Sequence, residues 1–246
     1  MTVKSAWLPR PPSATAAGRI ICLPHAGGSA AIFAAWPEAR GSVEFLPVEP
    51  PGRLGRFGEP VPDTFQELAA DLIDGLAGCL DVPFAIFGHC WSALLAYEMA
   101  AQLQGAGRPG PVRLFVSSQV APQDGPVGRM LGMDDTELAR DLSETIREAG
   151  NEPHPELVSF YAQVLRTDVE ISRRYQVGAP VRLDCPVTAV GWADDTEVRP
   201  EQMANWADCG ETSFEVFPGR HHRFLDAPEP LLRTLCAAFP AGLDRS

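Results

Sequence analysis

The sequence predicts an α/β fold with a mostly parallel central sheet flanked by helices. Short, nearly continuous apolar runs alternate along the chain with longer stretches in which apolar residues have helical spacing. Strands that are apolar on both sides are typical of parallel sheets buried between two layers of helices. The length of 246 residues suits one domain of this class, and we expect residues 1–246 to form a single domain.

Six apolar runs are the candidate strands, and most of them end in a turn that contains glycine, proline or polar residues. They cover residues 20–23, 43–48, 83–87, 114–116, 187–190 and 214–217. The first 18 or so residues contain no such run, and we expect them to form a loose polar arm before the first strand.

Helices are predicted between the strands from the spacing of apolar residues. Residues 65–80 have apolar side chains at helical intervals, and a second helix is predicted from Trp91 to Leu103. Residues 124–180 break the alternation, since they contain helical patterns at 136–149 and 157–175 and no convincing strand. An insertion at this point would lie over the carboxyl ends of the strands, so we predict a helical lid; an extra packing layer is the alternative.

Composition narrows the classes of function. The formal net charge is -12, with no long basic run, so neither nucleic acid nor an anionic membrane surface is an expected partner. No apolar run has transmembrane length and the start of the chain shows no apolar signal segment. The six cysteines are scattered, and we expect them to be reduced in a cytoplasmic protein.

One strand-to-helix junction has the pattern of a nucleophile elbow. Residues 88–92, Gly-His-Cys-Trp-Ser, follow a predicted strand and begin a predicted helix, which is the context of the G-x-S-x-G motif. The turn needs small residues on both sides of the nucleophile; Gly88 meets this need and Ser92 nearly does. Cys90 occupies the place of the nucleophile, where the helix dipole favours a thiolate. An ordinary buried cysteine is the alternative.

The last two predicted strands are followed by the residue types that complete a catalytic triad. Aspartates follow the first of these strands and histidines the second. The order nucleophile, acid, histidine is that of α/β-hydrolases, so we predict the α/β-hydrolase fold and a triad of Cys90, an aspartate (Asp194 or Asp195) and His221. His222 is the weaker alternative for the base, because His221 follows the strand more closely.

A glycine-rich loop, residues 24–30, follows the first predicted strand. Such a loop can place a backbone N–H over the nucleophile, and the residue after the nucleophile supplies a second one. Ala26 and Trp91 are therefore the expected oxyanion-hole residues. We expect His25 and His89 to pack or form hydrogen bonds. No cofactor and no metal are expected, because the glycines match no phosphate-binding pattern and no Cys/His spacing matches a metal site.

Several sequence blocks taken together resemble one family. They are PHAGGSA at 24–30, PGR at 51–53, GH-x-x-x-ALLAYE at 88–98, DCPVTA at 184–189, DD at 194–195 and FPG-x-H at 217–221. These blocks resemble the type II thioesterases of nonribosomal peptide and polyketide assembly lines over nearly the whole chain. The resemblance implies a nucleophile, acid and base at positions 90, 195 and 221 and oxyanion amides at 26 and 91. It also implies a lid over an acyl pocket that a carrier protein's phosphopantetheine arm reaches.

The chain departs from the family pattern at several positions. The family has serine in place of Cys90 and glycine in place of Ser92, and it tends to have small or aromatic residues in place of Arg220, His222 and Arg223. Some relatives with cysteine at the elbow resemble shuttles that move acyl or aminoacyl groups between carriers. We therefore expect a thioesterase that releases or edits carrier-bound acyl or aminoacyl groups through Cys90. The alternatives are an acyltransferase between carriers and a decayed carrier-binding module.

Docking to an acidic carrier protein needs local contacts, because this chain is itself acidic. Candidate docking residues are Arg53, Arg56 and, in the predicted lid, Arg166, Arg173 and Arg174. We expect a monomer, because the sequence shows no exposed apolar stripe.

Overall fold

A computed structural model of the chain describes residues 5–148 and 150–240. It contains a seven-stranded sheet in the order β2-β3-β1-β4-β5-β6-β7, in which only the β2–β3 pair is antiparallel. The strands are β1 Gly18–Leu23, β2 Ala39–Arg40, β3 Val43–Pro47, β4 Phe84–His89, β5 Arg113–Ser117, β6 Val187–Trp192 and β7 Thr212–Phe217. The predicted α/β-hydrolase architecture, a mostly parallel sheet flanked by helices, is confirmed.

Helices cover both faces of this sheet because successive residues of each strand point to opposite sides. The helices are α1 Phe65–Gly75, α2 Trp91–Gly105, α3 Asp135–Glu148, α4 Pro155–Arg174 and α5 Glu229–Cys236. In β1, Ile21 and Leu23 pack in the cluster that contains α1 and α2. Ile20 and Cys22 pack on the other side, in the cluster that contains α5.

The parallel register brings the carboxyl ends of six strands to one edge of the sheet. Leu23 of β1 lies beside Gly88 of β4, and Ser117 of β5 lies between His89 and Val190. The ends of β6 and β7 are also level with each other. The loops that carry the candidate site residues therefore meet at this edge, as is usual for α/β sheets.

The structure differs from the sequence prediction at the amino-terminal arm and at the end of α1. Trp7 and Leu8 are buried rather than loose, and Ser5 Oγ donates to the carbonyl of Gly75. Gly75 is needed there, since a Cβ would lie 2.0 Å from the Trp7 ring. The regular helix ends at Gly75, short of the expected residue 80, and a 3-10 turn follows at Ala77–Cys79. Neither β2 nor α5 was predicted: β2 has only two residues, whereas α5 has apolar residues at helical spacing, Leu231, Leu232, Leu235 and Cys236.

Residues 124–180 contain α3, α4 and the 3-10 turn Arg129–Gly132, and the described part of this segment contains no strand. Residue 149, the end of the predicted helix 136–149, lies outside the described residues. Leu138 of α3 packs against Leu165 and Val169 of α4. In the ranges that the structure describes, no helix is long and apolar enough to cross a membrane.

Candidate active site

The loop between β4 and α2 forms a sharp elbow with Cys90 at its tip. Cys90 has φ 55 and ψ -120, a conformation that costs a residue with a Cβ roughly 1–3 kcal/mol. Its N–H donates a 2.7 Å hydrogen bond to the carbonyl of Ser117 at the end of β5. Gly88 allows the tight approach of the helix, because a Cβ there would lie 2.2 Å from the carbonyl oxygen of Ser92. The sequence therefore folds into the elbow that its spacing predicts.

Ser92 fits this elbow although the pattern favours glycine. Its side chain is fully buried, and its hydroxyl accepts a 3.0 Å hydrogen bond from the N–H of His89. The same hydroxyl donates a 3.0 Å hydrogen bond to the carbonyl of Leu23 in β1. Ser92 thus ties the elbow to the neighbouring strand, and the departure from glycine leaves the turn intact.

Asp195 and His221 form a buried pair beside the elbow. His221 Nδ1 lies 2.9 Å from Asp195 Oδ2, and the N–H groups of Glu197 and Val198 donate to Asp195 Oδ1 at 2.8 and 3.1 Å. Asp194, the alternative acid, is exposed on the surface. The geometry therefore favours Asp195 over Asp194 as the partner of His221.

Hydrogen bonding controls the charges of this pair. Burial alone would lower the pKa of His221, but hydrogen bonds to Asp195 and Cys90 outweigh burial and raise it from 6.5 to about 10. Burial alone would raise the pKa of Asp195, and the hydrogen bonds from His221 and Ser118 lower it instead. The site therefore favours an imidazolium next to an ionised carboxylate at neutral pH.

The oxyanion candidates face the same space as Cys90. Ala26 and Trp91 line a cavity of ≈ 50 Å³ together with Cys90 and His221. Within the described residues, the backbone N–H groups of Ala26 and Trp91 donate to no other protein group. They remain available to a developing oxyanion, which is the requirement for an oxyanion hole.

The outer wall of the cavity mixes apolar and charged side chains. Met130, Leu131 and Val169 come from residues 124–180 and form the apolar part. Glu197 also lines the cavity, and its carboxylate lies 3.3 Å from Arg129 Nε. A volume of ≈ 50 Å³ holds only a few water molecules or a short acyl group.

Comparison with known proteins decides the family. The model of the thioesterase domain family matches residues 18–239. The chain belongs to the thioesterase domain family. It is 32% identical over 224 residues to "Thioesterase PikA5" of Streptomyces venezuelae, covering 87% of this chain and 79% of that protein.

Two solved thioesterase structures resemble the chain over almost its whole length. A thioesterase of the prodiginine biosynthetic pathway of Streptomyces coelicolor, RedJ, has a TM-score of 0.74 and 34% identity, covering 94% of this chain and 91% of that one. The type II thioesterase BorB of the borrelidin biosynthetic cluster has a TM-score of 0.78 and 30% identity, covering 97% and 99%.

Three further histidines surround the active site of this thioesterase. His89 is fully buried, stacks on Phe224 at 4.1 Å and has Nδ1 2.9 Å from Ser117 Oγ. His25 Nδ1 donates to the carbonyl of Ala26 at 2.8 Å. Burial lowers the pKa of both rings, in agreement with the packing and hydrogen-bonding roles expected for them. The ring of His222 lies 5.2 Å from that of His25, at the rim of the cavity.

The prediction that Arg53 is a docking residue is wrong. Its side chain is 3% exposed and pairs with Asp168 of α4, which is fully buried. Arg53 Nε also donates a 2.8 Å hydrogen bond to the carbonyl of Gly28. A guanidinium in this position cannot meet a protein partner. By contrast, the side chains of Arg166 and Arg174 are about half exposed.

Sequence reasoning missed two residues of the site. Ser118, directly after β5, adopts φ 49 and donates a 2.7 Å hydrogen bond to Asp195 Oδ2. Its signal was a polar pair, Ser117-Ser118, at the end of an apolar strand. Asp168 contacts the glycine-rich loop through Gly27. Its signal was an acidic residue on the apolar face of a helix.

Proposed function

We propose that this chain is a type II thioesterase-like enzyme of secondary-metabolite biosynthesis. Its substrates are acyl or aminoacyl thioesters on the phosphopantetheine arm of carrier proteins. The observation that carries the proposal is the placement of Cys90 at a strained elbow next to the His221–Asp195 pair. The support for the pathway comes from similar proteins, since RedJ comes from the prodiginine biosynthetic pathway and BorB from the borrelidin biosynthetic cluster.

Acylation uses the sulfur of Cys90 as nucleophile. The thiolate attacks the carbonyl carbon of the carrier thioester, and the carbonyl electrons move to an oxyanion that the N–H groups of Ala26 and Trp91 stabilise. When the carbonyl re-forms, the bond to the pantetheine sulfur breaks, and that sulfur takes the proton from the His221 imidazolium. Asp195 holds the ring in the tautomer that directs Nε2 to the reacting atoms. The products are acyl-Cys90 and the free carrier thiol.

Deacylation reverses the proton transfer. Neutral His221 removes a proton from an attacking water, and the acid is released with Cys90 restored as the thiolate. The proposed steps use only side chains and backbone amides of the chain, so they need no cofactor or metal.

Transfer between carriers is the second candidate, because the nucleophile is sulfur. Acyl-Cys90 is a thioester and lies close in free energy to the carrier thioester that forms it. A second carrier's thiol can therefore take the acyl group in a nearly reversible step. In this case His221 removes the proton of that thiol instead of the proton of water.

Residues 124–180 are proposed to act as the lid over this site. Side chains from this segment, including Met130, Leu131 and Val169, close the cavity beside Cys90. With a cavity of ≈ 50 Å³, the described conformation suits short acyl or aminoacyl groups, and longer chains require the segment to move.

Intact-mass spectrometry tests the proposal. The enzyme is mixed with acyl-loaded carrier domains from a neighbouring biosynthetic cluster, and both masses are followed with time. We expect a transient acyl adduct on the enzyme that Cys90→Ala abolishes. Cys185→Ala is the matched control, because Cys185 is also a partly exposed thiol but is distant in sequence from the elbow. An adduct that persists in Cys90→Ala would contradict the proposed nucleophile.

A further inference from the structure

Asp168 is an unusual residue for the face of the helix on which it lies. It belongs to the buried side of α4, near Leu165 and Val169, and its own side chain is 0% exposed. A buried carboxylate is costly unless a positive group and hydrogen-bond donors compensate it. Arg53 supplies the charge in a buried ion pair. The arrangement is specific enough to call for a functional reason.

Asp168 contacts both segments that carry the proposed oxyanion donors. Its Oδ2 accepts a 2.7 Å hydrogen bond from the N–H of Gly27, the residue after Ala26. Its main-chain carbonyl accepts a 2.9 Å hydrogen bond from the indole N–H of Trp91, the residue after the nucleophile. One residue of α4 therefore connects the glycine-rich loop to the start of α2.

Arg53 completes the support of the loop. Its Nε donates to the carbonyl of Gly28, while its guanidinium pairs with Asp168. Gly27 has φ 71, and two adjacent glycines give this loop more conformational freedom than other residues would. The ion pair removes that freedom at both glycines, and the orientation of the neighbouring Ala26 amide is fixed with them.

We propose that Asp168, held in place by Arg53, is a positioning residue for the oxyanion hole. The inference rests on the proposed thioester chemistry at Cys90. The side chain of Asp168 is buried and does not line the cavity, so Asp168 acts through Gly27 and Trp91 and does not touch the substrate. Helix α4 is then part of the catalytic apparatus and not only a cover over it.

Two reactions of Cys90 separate this role from a general structural role. Attack on a thioester develops an oxyanion and depends on the amides of Ala26 and Trp91. Alkylation by iodoacetamide is a displacement at carbon that develops no oxyanion, and it reports only the thiolate and its access. A positioning defect must therefore slow acylation and leave alkylation unchanged.

Two double variants provide the matched comparison. Arg53→Met with Asp168→Asn removes both charges but keeps an oxygen that can accept from Gly27 N–H. Arg53→Met with Asp168→Leu removes the same charges and also the acceptor. Because neither leaves an unpaired buried charge, both avoid the main folding penalty of the single variants.

Acylation is measured in a single turnover with an acyl-pantetheine thioester, and alkylation with iodoacetamide on the same preparations. For the leucine double variant we expect acylation about 10- to 100-fold slower than in the wild type, below the roughly 100- to 1,000-fold loss that follows complete removal of an oxyanion donor. The asparagine double variant should recover a large part of this loss. The KM and the alkylation rate should stay within about twofold of the wild type, a range far smaller than the effect on acylation.

A second tether of the same helix is the control. Arg174 joins α4 to Asp63, away from the glycine-rich loop. Asp63→Ala removes this ion pair and should leave acylation by the small thioester unchanged.

Equal acylation rates in the wild type and both double variants would overturn the inference. A parallel loss of acylation and alkylation would also overturn it, since that result indicates a structural role only. Failure of the proposed function is distinguishable, because in that case the wild type itself forms no acyl-Cys90.

Discussion

The charge of His221 gives a quantitative prediction about stability. Its pKa is raised from 6.5 to about 10 in the folded protein. At about 1.4 kcal/mol per pKa unit, this shift corresponds to about 5 kcal/mol of preference for the protonated ring in the folded state. Because the folded-state pKa is the higher one, the stabilisation is fully present below about pH 6.5 and is lost as the pH rises towards about 10.

Urea unfolding of the wild type and of His221→Asn measures this contribution. The free energy of unfolding is determined at about pH 6 and about pH 9.5, within the range where the linkage acts. The stability difference between the two proteins should shrink by several kcal/mol at the higher pH. Groups distant from His221 cancel in the difference because both proteins contain them. Cys22 is an example: burial raises the pKa of its thiol in the folded protein, so it titrates in this range only in the unfolded chain.

The thiol partner provides an independent check. Cys90→Ala keeps Asp195 but removes the sulfur that also raises the pKa of His221, so the ring should titrate above 6.5 and below about 10. The titration is followed by the NMR signal of the imidazole. A wild-type ring that titrates near 6.5, or an equal pH dependence of stability in wild type and His221→Asn, would refute the charged pair.

Three further predictions concern the chemistry of the site. Cys90→Ser makes the acyl-enzyme an oxygen ester, so return of the acyl group to a second carrier becomes unfavourable in free energy. If the enzyme is a shuttle, labelled acyl groups should shift from the acceptor carrier to free acid. An unchanged partition of the label would contradict shuttling. Ser118→Ala removes a charge-assisted hydrogen bond to buried Asp195, and we expect about 1.5–3 kcal/mol lower stability in urea and a lower kcat at similar KM. Met130→Ala enlarges the cavity and should raise kcat/KM for hexanoyl- over acetyl-pantetheine; an unchanged ratio would mean that Met130 does not limit acyl length.

The strands and the elbow were predictable because they depend on local signals. Apolar runs report burial on both faces of a sheet, and the structure places a strand at each of the six runs. The elbow needs a residue without a Cβ at position 88, because the backbone of Ser92 packs against it. Both positions belong to one five-residue pattern, so the sequence shows this requirement directly. Chain order then indicated His221 and an aspartate at 194 or 195, and the family resemblance favoured Asp195. The structure brings Asp195 and His221 within 2.9 Å of each other.

The Arg53–Asp168 pair was not predictable because its partners are 115 residues apart and each looks ordinary alone. Arginines are mostly exposed, so the sequence alone places Arg53 on a docking surface. An aspartate within an apolar helical face normally indicates that the buried face ends there, so the pattern does not predict a buried Asp168. Only the fold shows that each residue compensates the burial of the other. Ser118 is a similar case, since its role depends on a contact across the sheet edge with Asp195.

The stability lost to backbone strain and buried charges at the site argues for an enzyme over a decayed binding module. Cys90 lies in a left-handed conformation that a carrier-binding surface does not require. His221 and Asp195 are both buried, and each depends on the other for its charge. Asp168 and Arg53 add a second buried pair whose contacts support the loop next to the nucleophile. A module that only binds carriers gains nothing from these features and would be more stable with apolar residues in their place. Their joint presence next to the elbow supports the proposed catalysis at Cys90.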